Sequence, residues 1–417
     1  ADVILTGTTR RTATDSAGRF ELRDLAPGPV EFLVREPGYQ AVTIRVTLAP
    51  GEVRDLAVLL TPVTPILDPI TVTATRDPRS LSSVAAAVSV ADSQAIRSDR
   101  TVGLDETLRM MPGVQARSRY GTDDINLGIR GSAARARQAV RGVAVLLDGV
   151  PLSEPDGVAR LDLIELAAAR QVEVVRGPVS ALYAGSASGV VNVISRSGHD
   201  SPGVTLQAQG GSYGFEKYGG QAGAVIDTGQ GSVYLAGSYT NSDNYRDHSA
   251  GSISRGLLRA DYRPAARTYL ALDAEGSRLD TDLPGSLTQA QFDADPDAAA
   301  PAAVTGGFGR ADTRYRAGAR LVQGLDASGN TEASAYGYYG GRTLYFPTQR
   351  WIVDLNFQRT QAGARYRAAQ VGGAALELAA GVDYDHVHGT DQRWKNTGGI
   401  ADSLRDRGTD AISSLGI

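Results

Sequence analysis

The sequence predicts a mainly β chain with three parts: a small N-terminal β-sandwich, a central α+β domain, and part of an antiparallel transmembrane β-barrel. Residues 1–62 contain two segments, at 30–34 and 42–48, in which apolar and polar side chains alternate as they do in half-buried strands. Residues 77–198 combine short apolar strands with a helical turn. Residues 199–417 repeat segments that alternate apolar residues with small or polar ones, which is typical of strands between lipid and a lumen.

The composition excludes several classes of protein. The 417 residues are 42% hydrophobic and contain no apolar run near the length of about 18 residues that a membrane-spanning helix needs. The absence of cysteine excludes disulfides, thiolate metal sites and cysteine catalysis. A formal net charge of -4 provides no broad basic surface for a phosphate backbone. Helical transporters are therefore excluded, and no nucleic-acid partner is expected.

The N-terminal segment carries motifs of a known module. Three of them follow in order: Thr-Asp-x-x-Gly-x-Phe at 14–20, Leu-x-Pro-Gly at 25–28 and Pro-Gly-Tyr at 37–39. Residues 1–62 thereby resemble the carboxypeptidase regulatory-like domain, a transthyretin-like sandwich. The resemblance implies no catalytic residues, so a folded spacer is expected here.

Residues 63–76 read as a linker that contains a β-prone run. Pro65 and Pro69 each remove a backbone donor and favour an extended chain. The run at 70–76 has no partner strand nearby in sequence, and such a segment can add itself to the sheet edge of another protein through main-chain hydrogen bonds.

The central domain carries five motifs in a recognisable order. They are Leu-x-x-Met-Pro-Gly-Val at 108–114, Ile-Arg-Gly at 129–131, Leu-Leu-Asp-Gly-Val-Pro at 146–151, Glu-Val-Val-Arg-Gly-Pro at 173–178 and Gly-Val-Val-Asn-Val-Ile at 189–194. Residues 77–198 thereby resemble the plug of a TonB-dependent outer-membrane receptor. The phrase at 148–156 is closest to receptors of the ferric-citrate type.

This resemblance implies partners and functional residues. The run before the plug looks like a TonB box, which comprises Asp68, Pro69, Ile70, Thr71, Val72, Thr73 and Ala74. Arg130 and Arg176 match plug arginines that pair with barrel carboxylates and hold the plug. The implied function is TonB-driven import of a ferric siderophore or similar iron chelate across the outer membrane, with the N-terminal sandwich in the periplasm. A cobalamin or glycan receptor and a barrel-anchored adhesion protein are the alternatives.

The barrel region shows about nine strand segments, near 204, 219, 233, 256, 268, 314, 332, 354 and 376. Connections are predicted to be short at 227–231, 263–267 and 323–330, and long at 240–254, 277–312 and 341–352. A barrel that holds a plug needs about 22 strands. The chain is therefore expected to be the N-terminal part of a longer receptor, and its last residues lack the usual terminal aromatic.

Candidate ligand-binding residues lie on a predicted plug apex. Arg117, Arg119 and Tyr120 offer charge-assisted hydrogen bonds to an anionic iron chelate. The acidic loop at 277–312 is expected to act as a lid over the ligand.

No metal site is expected, because the pair His386 and His388 lacks further ligands in sequence. No cofactor or enzymatic motif is expected either.

Overall fold

The computed structural model divides the chain into two compact units. One comprises residues 1–70 with 78–83, and the other comprises 71–77 with 84–417. The structure describes residues 1–6, 8, 10–15, 18–35, 42–60, 86–118, 125–132, 140, 142–153, 159, 161, 163–177, 186–226, 230–326, 330–368 and 378–416.

The first unit is a four-stranded antiparallel sheet with a small apolar core. Its strands are β1 (Asp2–Leu5), β2 (Arg11–Ala13), β3 (Gly28–Arg35) and β4 (Val42–Leu48), in the order β2-β1-β3-β4. Val3, Leu5, Phe32 and Val34 form the buried core. Side chains from 20–25 and 56–60 pack against that core and are partly buried. The two alternating segments predicted from the sequence are confirmed as β3 and β4.

The second unit begins with an α+β domain. Its elements are β5 (Ala87–Asp92), α1 (Ser93–Ser98), α2 (Leu104–Arg109), β6 (Val114–Ser118), β7 (Ile125–Ile129), β8 (Val143–Leu147), β9 (Val150–Pro151), a 3-10 helix (Leu166–Ala168), β10 (Ala169–Arg176) and β11 (Gly189–Ser195). Five strands form a sheet in the order β5-β10-β11-β8-β9, in which only β11 and β8 are parallel, and β6 pairs with β7 as a separate hairpin.

Local sequence explains how this domain folds. Asp92 caps α1 by accepting hydrogen bonds from the backbone N–H groups of Gln94 and Ala95. Helix α2 ends at Arg109, three residues before Pro112, which cannot continue a helix. Valines and leucines of β8, β10 and β11 are buried on both faces of the sheet, as expected of strands covered on two sides.

Among the described residues, the second unit also contains a ten-stranded antiparallel sheet in sequence order. Its strands are β12 (Gly203–Gly210), β13 (Glu216–Ile226), β14 (Gly231–Ser242), β15 (Gly251–Ala265), β16 (Thr268–Asp282), β17 (Gly309–Gly324), β18 (Thr331–Pro347), β19 (Trp351–Ala368), β20 (Leu378–Thr397) and β21 (Ile400–Gly416). The nine predicted segments miss β21, because its charged residues at 402–407 hide the alternation. Among the described residues, none of the helices has the length and hydrophobicity of a transmembrane span.

One predicted connection is wrong. Residues 341–352 were expected to form a long loop, but β18 runs to Pro347 and β19 starts at Trp351, so three residues join them. The other two long connections, predicted at 240–254 and 277–312, are present at 243–250 and 283–308. The second of them carries two short helices, α3 (Gln289–Ala294) and α4 (Pro301–Thr305).

The two faces of the ten-stranded sheet differ in character. Along β15, Arg255, Arg259 and Asp261 are buried on the face that contacts the α+β domain, whereas Leu258 and Tyr262 are exposed on the opposite face. Apolar side chains on the outer face and polar ones on the inner face are the dyad pattern of a membrane barrel. The predicted fold class is confirmed.

Glycines on the strands make room for aromatic rings from the neighbouring strand. Three such pairs are directly opposite in the register: Tyr338 with Gly318, Tyr336 with Gly363, and Tyr315 with Gly341. A Cβ atom on Gly318 would lie 2.3 Å from the Tyr338 ring, so the ring position requires glycine there.

Candidate functional site at the domain interface

Alternate residues of β17 and β18 place a charged layer on the inner face of the sheet. Asp312 accepts hydrogen bonds from Arg310 at 2.7 Å and from Arg342 at 3.0 and 2.8 Å. Glu275 on β16 accepts two from Arg316, at 3.2 and 3.1 Å. All five side chains are buried, and paired hydrogen bonds of this kind offset the cost of removing charges from water.

Asp148 connects the α+β domain to this inner face. It follows β8 in a left-handed backbone conformation with a φ of 52°, and Gly149 follows with a φ of 80°. The Asp148 carboxylate accepts hydrogen bonds from the backbone N–H of Ser195 at 3.1 Å and from its hydroxyl at 2.5 Å. Arg259 of β15 places Nη1 3.2 Å from the same carboxylate. The Asp148 carboxylate therefore links β11 of the α+β domain to β15 of the ten-stranded sheet.

The charge state of Asp148 follows from these neighbours. Burial raises the pKa of the Asp148 carboxyl, but the guanidinium groups of Arg259 and Arg320 and the hydrogen bonds from Ser195 outweigh it. The pKa therefore lies below its ordinary value, and the group is a carboxylate at neutral pH.

The sheet also holds the backbone of residues 148–153, which we call the docking segment. Arg320 Nη1 donates to the Asp148 carbonyl at 2.5 Å. Arg359 donates to the Leu152 carbonyl at 3.3 Å and to the Ser153 carbonyl at 2.6 Å, and Gln361 donates to the Pro151 carbonyl at 3.0 Å. Bonds to backbone carbonyls and to Asp148 thus anchor the docking segment to the inner face.

Hydrogen bonds and an ion pair anchor the docking segment, whereas the α+β domain keeps a large apolar core of its own. Water can replace hydrogen bonds between two surfaces at a small net cost, because it supplies donors and acceptors. The arrangement therefore suits a domain that is held firmly against the inner face of the ten-stranded sheet and can also be released from it.

Comparison with known proteins agrees with this architecture. The family model described as the TonB-dependent receptor plug domain matches residues 80–191. The chain carries the plug domain of a TonB-dependent receptor. The model described as the carboxypeptidase regulatory-like domain matches residues 1–61. We therefore call the α+β domain the plug and the ten-stranded sheet the barrel sheet.

Solved structures share the fold of the plug and the barrel sheet. The ferric citrate transporter FecA in its unliganded form is 21% identical with a TM-score of 0.63, and the match covers 80% of this chain and 52% of FecA. FpvA of P. aeruginosa bound to a heterologous pyoverdine is 15% identical with a TM-score of 0.66, covering 83% and 50%. The copper transporter OprC is 16% identical with a TM-score of 0.56, covering 79% and 52%. The chain spans about half the length of these structures.

The structure places the predicted ligand-binding residues only in part. Arg117 lies on β6, where its backbone is paired with Asn126, and its side chain is exposed. Arg119 and Tyr120 lie outside the described residues. The predicted TonB box at 68–74 also lies outside them.

The two predicted latch arginines have different surroundings. Arg130 follows β7 with a φ of 52° and is exposed. Arg176 ends β10, and its Nη1 donates to Ser89 Oγ at 2.7 Å and to the Pro112 carbonyl at 2.5 Å. The hydrogen bonds that the structure describes for Arg176 therefore stay within the plug.

Sequence reasoning missed the residues that join the plug to the barrel sheet. The motif at 146–151 indicated the docking segment, but nothing in it identified Arg259, Arg320 or Arg359 as partners. The alternating arginines from Arg310 to Arg320 on β17 were a usable signal, since charges repeated every second residue place one charged face along a strand.

The histidine pair lies on the outer face of the barrel sheet. The rings of His386 and His388 stack with centroids 5.5 Å apart, and His386 Nδ1 lies 2.8 Å from Ser413 Oγ. The described residues contain no group of three side chains suited to hold a metal ion.

Proposed function

We propose that this chain belongs to an outer-membrane receptor that imports a ferric siderophore or a similar iron chelate with energy delivered by TonB. The observation that carries the proposal is the docking segment, whose polar contacts hold a plug domain against the inner face of a barrel sheet. A channel closed by a separately folded domain needs an external energy source to open it. The N-terminal sandwich then lies in the periplasm, on the TonB side.

Opening would begin at the linker. TonB pairs with Ile70 to Ala74 through main-chain hydrogen bonds, the usual mode by which an extended segment adds to a sheet edge. Force on this segment reaches the plug and pulls part of it away, and the hydrogen bonds that are lost are exchanged for bonds to water.

An anionic chelate is the ligand class that best fits the inner face. Arg316, Arg320 and Arg359 point into the interior, and guanidinium groups recognise carboxylates and other oxyanions through paired hydrogen bonds. The ferric citrate transporter FecA and pyoverdine-bound FpvA are among the similar structures. Copper is the second candidate, because the copper transporter OprC is also among the similar structures, although His386 and His388 face away from the plug.

Growth under iron limitation tests the proposal. Deletion of Ile70 to Ala74 should abolish growth on the transported iron source and leave binding of the ferric chelate to whole cells intact. Deletion of five residues at 62–66 is the matched control, because it shortens the same linker outside the TonB box. Normal uptake without residues 70–74 would refute TonB coupling here and favour a barrel-anchored adhesion protein. If the receptor supported growth on cobalamin or a glycan but not on the iron chelate, the proposed ligand would be wrong.

The ligand-binding roles have their own test. Arg117→Ala combined with Arg119→Ala should weaken binding of an anionic ferric chelate at least about tenfold, since two charge-assisted hydrogen bonds are lost. Shortening the acidic loop at 293–303 should affect binding less, because carboxylates repel such a ligand. The reverse order of effects would indicate a cationic ligand such as a copper ion.

A further inference from the structure

Thr101 has an unusual backbone conformation at the junction of α1 and α2. Its φ is 55°, in the left-handed region that a β-branched residue rarely adopts. The residue is buried. A conformation of this kind persists only where the surroundings enforce it, and such positions cluster at clamps and switches.

Lys217 on β13 enforces this conformation. Its Nζ donates to the carbonyl oxygen of Thr101 and, at 3.0 Å, to Oγ1 of the same residue. Lys217 is 1% exposed, although lysine is seldom fully buried. The sequence contains one other lysine, Lys395, which lies at the surface and is half exposed.

The barrel sheet also binds the residues on each side of Thr101. Gln209 Nε2 on β12 donates to the Arg100 carbonyl at 3.1 Å, and Arg255 Nη1 on β15 donates to the Val102 carbonyl at 3.3 Å. Three consecutive plug carbonyls thus accept hydrogen bonds from three different strands. We call residues 100–102 and these donors the carbonyl clamp.

The position of the carbonyl clamp along the chain gives it a mechanical role. Only β5 and α1 lie between the linker at 63–76 and the clamp among the described elements. Strand β5 is at the edge of the plug sheet and pairs with β10 alone, and Ile96 is the buried residue of α1. An edge strand and a six-residue helix are the parts of a domain that detach with the least loss of contacts.

We propose that the carbonyl clamp is the point at which TonB-driven detachment of the plug stops, so that residues 87–99 leave the plug under load while residues beyond 102 stay in the barrel. This inference rests on the proposed function and specifies how much of the plug detaches. Release of Lys217 lets Thr101 return to an ordinary backbone conformation, so the clamp has two distinct states. It opens only when the load exceeds what the three carbonyl contacts hold.

Cysteine labelling of the intact receptor in cells tests this boundary, because the chain has no cysteine of its own. Ile96→Cys and Leu108→Cys report on the two sides of the clamp, and both native side chains are fully buried. During energised uptake we expect labelling at position 96 and protection at position 108. With Lys217→Met, labelling at position 108 should rise about tenfold, whereas Lys395→Met, the matched surface control, should leave it unchanged.

The possible outcomes distinguish failure of the clamp as a stop from failure of TonB coupling. Equal labelling at positions 96 and 108 in the otherwise native receptor, or protection of both during uptake, would overturn the clamp as a stop. Labelling at position 96 that persists after deletion of Ile70 to Ala74 would instead overturn TonB coupling.

Two further variants guard against a folding defect. If Lys217→Met exposes position 108 without TonB, Lys217→Arg, which keeps a donor, should restore protection, and its failure to do so would refute the role of this contact. Thr101→Gly adopts a φ of 55° without strain and retains the carbonyl, so it should keep position 108 protected. Exposure there would show that the carbonyl contact alone does not hold the plug.

Discussion

Asp148 of the plug and Arg259 of the barrel sheet lie 3.2 Å apart, with less than a tenth of either side chain exposed. Arg259 also contacts Asp261 on its own strand and the hydroxyl of Tyr269. The plug carboxylate therefore completes a buried network that includes Arg259, Asp261 and Tyr269 of the barrel sheet. Removing one member of such a network costs more than the pair contributes, because the remaining charges stay buried.

Asp148→Asn should destabilise the docked plug by about 3 to 5 kcal/mol, since Arg259 is left with one carboxylate fewer in a buried site. Protease sensitivity of the plug in denaturant measures the loss. Asp402→Asn is the matched control, because Asp402 lies 3.7 Å from Lys395 with both side chains about half exposed. An exposed pair contributes about 0 to 1 kcal/mol. Equal effects of the two substitutions would contradict the role of the buried network.

The contribution of Asp148 should depend on pH in a defined direction. Its pKa is lowered in the folded state, so the stabilisation is present above the ordinary value of 3.8 and is lost as the pH falls through the lowered value. The stability difference between the native protein and Asp148→Asn should therefore shrink in acid. A difference that stays constant down to pH values well below 3.8 would show that the charge is not what holds the plug.

Gly318→Ala should disrupt the barrel sheet locally. The added Cβ would lie 2.3 Å from both the Gly337 carbonyl oxygen and the Tyr338 ring, which donates from its hydroxyl to Asp273. Overpacking of this kind costs about 1 to 3 kcal/mol. Gly337→Ala is the control on the neighbouring strand, since nothing lies within 4 Å of its added Cβ. Denaturation midpoints of the two variants should differ, and identical midpoints would contradict the fit of the ring against Gly318.

Asn396→Ala should loosen the connections at one end of the barrel sheet together. The Asn396 amide donates to the Gly306 carbonyl at 2.7 Å and to the Thr348 carbonyl at 2.8 Å, and it accepts from the Gly399 N–H at 2.8 Å. Hydrogen exchange should speed up across 283–308, since each lost bond is worth about 1 kcal/mol. Thr397→Ala, one residue away and exposed, should leave exchange at 283–308 unchanged. Unaltered exchange in Asn396→Ala would mean that this loop is held without the amide.

Much of the fold was readable from local pattern. Strand β8 and the turn at Asp148 and Gly149 follow from an apolar run before a residue pair that tolerates left-handed backbone. The connection at 341–352 was predicted wrongly, because polar residues such as Arg342 and Thr343 occur on strands as well as in loops.

The resemblance to a plug and most of the strands could be predicted from the amino-acid sequence, since they depend on side-chain periodicity and turn residues within short windows. The contacts that hold the plug could not, because they join residues that are far apart in the chain. Lys217 reaches Thr101 across 116 positions and Arg359 reaches Ser153 across 206. These partners meet because antiparallel strands bring alternate side chains to one face. Whether a buried charge is stabilised depends on which groups lie opposite it in space.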